Sequence, residues 1–252
     1  MNDITILGLL FLTYILLNFI LSKKKIFIDK FKSSIHKSLL NQEDNIPLSG
    51  GILIILACIF LLPADQIYLK IPLGLVFIVG ALSDLDILKS PIKRIFCQIT
   101  IIFLFLFISK IFITNIRIEI VDKMLEFYYF KLFFTLFCLL ILINGSNFLD
   151  GVNTLVIIYY ILIAIIMLYL AEKYNLYFIL NIKLILLSLC VILPFNFLGK
   201  VYLGDSGSYL LSFIFGISLI DLVNNSLSIS PYFVALLLWY PAYENLFSII
   251  RK

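Results

Sequence analysis

Asn144, Asn147 and Asp150 recur at every third position of the stretch Asn-Gly-Ser-Asn-Phe-Leu-Asp-Gly, residues 144 to 151. On a helix that spacing brings the three side chains close to one face, which could hold a polar ligand. The same residue types also favour turns. Apolar runs flank the stretch, Leu132 to Ile143 before it and Val152 to Leu170 after it. A carboxylate at the edge of a bilayer is a functional candidate by default.

Three further polar stretches have chemistry to offer. Gly199-Lys-Val-Tyr-Leu-Gly204-Asp205-Ser206-Gly-Ser208 precedes another apolar run. Free backbone N–H groups, hydroxyls and a carboxylate at a helix start can cradle phosphate, the carboxylate holding a bridging metal ion. The plainer reading is that Asp205 or Ser206 caps the helix. Ser83-Asp84-Leu85-Asp86 puts two carboxylates at a membrane edge, close enough to bind a divalent cation or to shift each other's pKa. Alternatively it is a solvated helix end facing Lys89, Lys93 and Arg94. His36-Lys37 lies in a loop over residues 22 to 47 that holds six lysines and the only histidine. Most of that basic run reads as a solvated loop facing lipid headgroups.

The elements that position these stretches follow from composition. The chain is 63% hydrophobic and 13% charged, with a mean hydropathy of +1.13, against about 25% charged residues in soluble domains. We expect an all-α polytopic membrane protein, one integral-membrane domain over residues 1 to 252 with about nine transmembrane helices. The first span is followed at once by Ser22-Lys-Lys-Lys25, the reverse of a signal peptide's order, and is expected to stay uncleaved. Pro47 to Gly51 opens the second span, the glycine pair allowing close approach of backbone or ligand. The alternation Ile116-Arg-Ile-Glu-Ile120 predicts a short outer strand or hairpin near 115 to 121. Cys58, Cys97, Cys138 and Cys190 sit in apolar runs without a CxxC pair and read as buried hydrophobes. The net charge of +4 reflects membrane orientation, not a nucleic-acid partner.

Spans alternate in direction, so placing the lysine-rich loop inside puts all four polar stretches on the cytoplasmic face. Of the 19 Lys and Arg residues, 12 then fall on that face. The positive-inside rule supports this arrangement. Scattered caps and turns would not converge in this way, and convergent polar groups in one concavity define a candidate active site.

In sum and spacing, His36-Lys37, Pro47, Gly50-Gly51, Gly80 to Gln98, Asn144 to Gly151 and Leu203 to Ser208 resemble the polyprenyl-phosphate N-acetylhexosamine-1-phosphate transferases. The resemblance covers nearly the whole chain. It implies transfer of a sugar 1-phosphate from a UDP-linked amino sugar to undecaprenyl phosphate in a bacterial inner (plasma) membrane, with release of UMP and a need for Mg²⁺, or Mn²⁺ in its place. By this resemblance Asp205 is a metal ligand and Asp84 a second essential acid that binds metal or helps deprotonate the lipid phosphate. Lys37 steadies a phosphate; Asn144, Asn147 and Asp150, with Gly204 and Ser206, hold the nucleotide or the framework of the site.

Two features depart from that family. An Asp-Asp pair is common where Ser83-Asp84 stands, so Asp84 does both jobs or Asp86 contributes. A His-rich cytoplasmic loop would follow the helix that ends near Lys252, and its lack leaves a shortened, inactive relative or membrane scaffold as the alternative. A lipid-linked-sugar transporter would instead carry polar residues along a path at mid-depth. A homodimer stays open, because lipid-facing and partner-facing apolar surfaces have similar compositions.

Overall fold

The computed structural model describes residues 3–28, 46–61 and 67–251. The helices are α1 (Asp3–Lys24), α2 (Gly50–Leu61), α3 (Ile67–Asp84), α4 (Pro91–Ser109), α5 (Glu119–Leu125), α6 (Tyr128–Leu149), α7 (Leu155–Tyr174), α8 (Ile182–Phe197), α9 (Gly204–Asn224), α10 (Pro231–Leu237) and α11 (Trp239–Ile250). No strand forms among the described residues; the nearest thing is one isolated antiparallel bridge between Ile28 and Pro47.

Six helices, α1, α3, α4, α6, α7 and α9, are long and apolar enough to cross a membrane, and the bent pair α10–α11 would make a seventh. The expected nine spans are not all present at that length, because α2 and α8 are apolar but shorter. The 59° break between α10 and α11 has a local cause. Pro241 has no N–H to give the carbonyl of Leu237, four residues back, and its ring crowds that position. The Tyr159 hydroxyl donates to the Leu237 carbonyl instead, which satisfies a backbone acceptor that lipid could not.

The strand or hairpin expected near 115 to 121 is replaced by irregular chain leading into the short helix α5. Its backbone groups are met by side chains. The Asp122 carboxylate accepts the Ile116 N–H at 2.8 Å, and Arg117, at φ +60, donates its guanidinium to the carbonyls of Leu227 and Ile229 at 2.6 and 3.2 Å. Five alternating residues supply no partner strand, so these bonds prevail.

Helix α9 is the pillar of the molecule: 17 of its 21 residues are buried. It packs chiefly on α3, α6 and α2. Small residues allow this, as they do wherever membrane helices approach closely. A Cβ on Gly80 of α3 would lie 2.4 Å from Ser206 Cα, and one on Gly51 of α2 would lie 2.6 Å from the Gly207 nitrogen. The stretch before α2 is tied to the same place, with Tyr202 N–H donating to Pro47 O at 3.0 Å and Gly50 N–H to Tyr202 O at 3.2 Å. The end of α3, the end of α6 and the start of α9 therefore meet at one end of the bundle.

Candidate active site

The first turn of a helix has N–H groups with no partner inside the helix. In α9 two of them are taken by Asp84, the last residue of α3. Asp205 N–H donates to Asp84 Oδ1 at 2.8 Å and Ser206 N–H to Asp84 Oδ2 at 3.0 Å. A carboxylate there is favoured by the hydrogen bonds and by the helix dipole. Gly204 makes room for it: φ is +75, and a Cβ would lie 2.8 Å from Asp84 Oδ2.

With its N–H committed to Asp84, Asp205 directs its carboxylate elsewhere. Its Oδ2 accepts the Ser83 hydroxyl at 2.5 Å and Arg94 Nη1 at 2.8 Å, and the same Arg94 nitrogen reaches Ser83 Oγ at 2.7 Å. Arg94 stands one turn inside α4, whose start is set by Pro91 at its first position. Its guanidinium also meets the hydroxyl of Tyr209. The Arg94 and Asp205 side chains remain 23% and 26% exposed, so the pair is accessible at the membrane edge without being fully solvated.

The Asn144 stretch contributes the third wall. Asn144 Nδ2 donates to Gln98 Oε1 at 3.0 Å, one turn along α4 from Arg94, and to the Leu140 carbonyl at 2.9 Å. Asn147 Oδ1 accepts the Ser208 hydroxyl at 3.0 Å, tying α6 to α9. Asp150 lies just past the end of α6. Desolvation pushes its carboxyl well above the usual carboxylate range, the negative charges of Asp205 and Asp84 add to the effect, and a hydrogen bond from Gly204 N–H opposes it. Behind these residues Asn196 joins two loops: its Oδ1 accepts Thr154 N–H at 2.7 Å and its Nδ2 donates to Val201 O at 2.9 Å.

Of the residues singled out in the sequence, Asp84, Asn144, Asn147, Asp150, Gly204, Asp205 and Ser206 are brought to this end of the bundle. Ser206 is fully buried between Gly51 and Gly80. Asp86 is exposed in a left-handed turn at φ +59, tied to the site through its backbone N–H, which donates to Ser83 O at 3.0 Å. His36 and Lys37 lie outside the described residues. In the sequence Arg94 stood as an orientation charge and as one of three basic residues facing a solvated helix end at Asp84 and Asp86, and Ser83 as an absent acid. The signal for Arg94 was its spacing of four from Gln98, which puts both on one face of α4.

This donor set suits a divalent cation in a restricted way. Three carboxyl groups interact electrostatically here, and among the described residues the guanidinium of Arg94 pairs with Asp205, so an added cation would favour the ionised forms of the others. Both Asp84 oxygens accept backbone N–H groups, which leaves Asp205 Oδ1 and Asp150 as the better donors. Among the described residues no cluster of three His, Cys, Asp or Glu side chains has the makings of a closed metal cage. Mg²⁺ does not need one, since it is commonly held by one or two carboxylates together with substrate phosphates.

Residues 67–223, more than half of the chain, match the family described as Glycosyl transferase family 4. No curated protein gives a significant match.

Proposed function

Because the chain belongs to glycosyl transferase family 4, we propose that it moves a sugar 1-phosphate, that of an N-acetylhexosamine, from a UDP-sugar to undecaprenyl phosphate and so starts a lipid-linked cell-envelope glycan. The observation that carries this reading is the Asp205 carboxylate, held at the start of the buried helix α9 beside Asp84, Asp150 and Arg94. In the reaction an oxygen of the lipid phosphate forms a bond to the sugar-bearing phosphorus. The bond from that phosphorus to the bridging oxygen breaks, and the oxygen leaves as part of UMP. Several phosphate charges must approach one another, so charge compensation and positioning dominate the barrier.

Asp205 would hold Mg²⁺ with Asp150, and the ion would polarise phosphoryl oxygens and offset their charge. Arg94 faces the same space and supplies a planar donor fork suited to phosphate. Asp84 holds Asp205 in place through the backbone, and Asn144 and Asn147 brace α6 against α4 and α9. Lys37, which lies outside the described residues, would steady a phosphate. A bacterial inner membrane with the site facing the cytoplasm, where UDP-sugars are made, is part of the proposal.

The acceptor's apolar tail has a candidate berth. A cavity of about 410 Å³ lies between α6, α9 and the α10–α11 pair, lined by Phe134, Leu139, Leu142, Gly216, Leu219 and Leu238 among others. Its lining runs from the middle of α6 and α9 to Asn115, Asn224 and Pro231 at the end of the bundle opposite the carboxylates, so it would take a distal part of the tail and not the part next to the phosphate. The test is transfer of labelled sugar phosphate from a panel of UDP-N-acetylhexosamines to undecaprenyl phosphate in detergent with Mg²⁺. Turnover that falls at least about 100-fold in Asp205→Asn supports the reading; turnover unchanged by that substitution overturns it.

A further inference from the structure

Asp205 has two claimants. The reading above gives its carboxylate to a divalent cation, and in the structure the same carboxylate is paired with Arg94 at 2.8 Å, with the Ser83 hydroxyl bridging the two. A cation on Asp205 Oδ1 and a guanidinium on Oδ2 of the same carboxylate would lie within a few ångströms of each other, and like charges at that range repel strongly in a partly buried site. Arg94 is able to leave. It is a long side chain, partly exposed, and its Asp205 and Ser83 bonds both run through Nη1. Its guanidinium also meets the hydroxyl of the buried Tyr209, a contact that can tether it while the Asp205 bond is exchanged.

Resting on the reading that Asp205 holds the cation, we infer that Arg94 is an exchangeable counterion. It yields Asp205 to the divalent ion and transfers its hydrogen bonds to an incoming phosphate. Ser83 is part of this device. A hydroxyl at that position donates to Asp205 and accepts from Arg94, and so holds the pair together, whereas a second carboxylate there would compete with Asp205 for the guanidinium. The exchange makes cation and phosphate binding mutually reinforcing, because each removes the partner that opposes the other.

The experiment measures Mn²⁺ binding to the full chain in detergent by the loss of the free-ion electron paramagnetic resonance signal, with and without UMP. Arg94→Gln is expected to bind Mn²⁺ about tenfold more tightly than the unsubstituted chain in the absence of UMP, the order of effect of losing one charge-assisted bond. Arg94→Lys should stay near the unsubstituted value. UMP should tighten Mn²⁺ binding in the unsubstituted chain and do so less in Arg94→Gln. Ser83→Ala, a milder change, should shift Mn²⁺ affinity the same way by a smaller factor. Equal or weaker Mn²⁺ binding in both Arg94→Gln and Ser83→Ala, with binding lost in Asp205→Asn, overturns the exchange and leaves the metal reading standing. Mn²⁺ affinity unchanged in Asp205→Asn overturns the metal reading and the exchange with it.

Discussion

Asp84 holds Asp205 by its backbone and not by its side chain: Asp84 Oδ1 accepts Asp205 N–H at 2.8 Å, and the Asp205 carboxylate points away to Ser83 and Arg94. The two acids that the sequence suggested as a pair of metal ligands therefore stand in different relations to the site. One fixes the start of α9, and the other is presented by it.

Removing the Asp84 charge should therefore loosen the helix start. Asp84→Asn keeps one acceptor oxygen but loses the charge and one of the two bonds, and should cost about 1–2 kcal/mol of stability, as helix caps do. Asp84→Ala should cost more, because it leaves two N–H groups of a well-packed turn without partners. Thermal unfolding in detergent measures the ranking. Hydrogen exchange adds a local check: the amides of Asp205 and Ser206 should lose protection in both variants, while those in the middle of α9 keep theirs.

Glycines provide a second prediction with its own control. Gly80→Ala places a methyl group 2.4 Å from Ser206 Cα, against backbone that cannot rotate aside. The cost should be about 1–3 kcal/mol, with turnover lost as α9 is pushed from α3. Gly74, six residues earlier on the same helix, has nothing within 4 Å of its would-be Cβ. Gly74→Ala should stabilise the protein by up to about 1 kcal/mol through helix propensity. Melting curves of the two variants should move in opposite directions.

What the sequence could and could not disclose follows from the range of each interaction. Asn144, Asp150 and Asp205 stand out because polar residues are few in such apolar surroundings, and span alternation alone puts them at one end. The role of Asp84 is hidden, because its donors lie 121 and 122 residues further along the chain. Arg94 is masked by a general rule: basic residues at membrane edges are expected for orientation, so one that enters a site looks like its neighbours. Apolar run length does not by itself fix the number of spans, since among the described residues α2 with 12 residues and α8 with 16 read in the sequence much like the six longer helices. The Ile116 to Ile120 alternation misleads because a strand also needs a partner, and the side chains of Asp122 and Arg117 claim the local bonds first.

The hub at Asn196 yields a third prediction. Asn196→Ala removes a buried acceptor from Thr154 N–H and a donor from Val201 O, and should cost about 1–3 kcal/mol. Thr154 itself sits at φ +68, a conformation that a β-branched residue adopts only under constraint. Thr154→Gly should relieve that constraint and stabilise the protein by about 0.5–1 kcal/mol. If Asn196 is what holds Thr154 there, the gain from Thr154→Gly should change in the Asn196→Ala background, and a double-mutant cycle on unfolding free energies reads the coupling.

The raised pKa of Asp150 gives a prediction in pH. Its carboxyl titrates well above the ordinary value of 3.8 in the folded protein, because burial and the Asp205 and Asp84 charges disfavour the ionised form. Between that ordinary value and the raised one the folded state binds more protons at this position than the unfolded state. The slope of unfolding free energy with pH from this group is therefore negative. Its contribution is fully present below the unfolded pKa and is lost as pH rises through the folded one. Asp150→Asn mimics the neutral form and removes the dependence. The unsubstituted protein should thus lose stability relative to Asp150→Asn as pH climbs from about 4 toward neutrality, and Mg²⁺ should narrow the gap if Asp150 helps to hold the ion. Thermal unfolding of both proteins across that range, with and without Mg²⁺, provides the measurement. A constant difference between them would show that Asp150 ionises alike in the folded and unfolded chain.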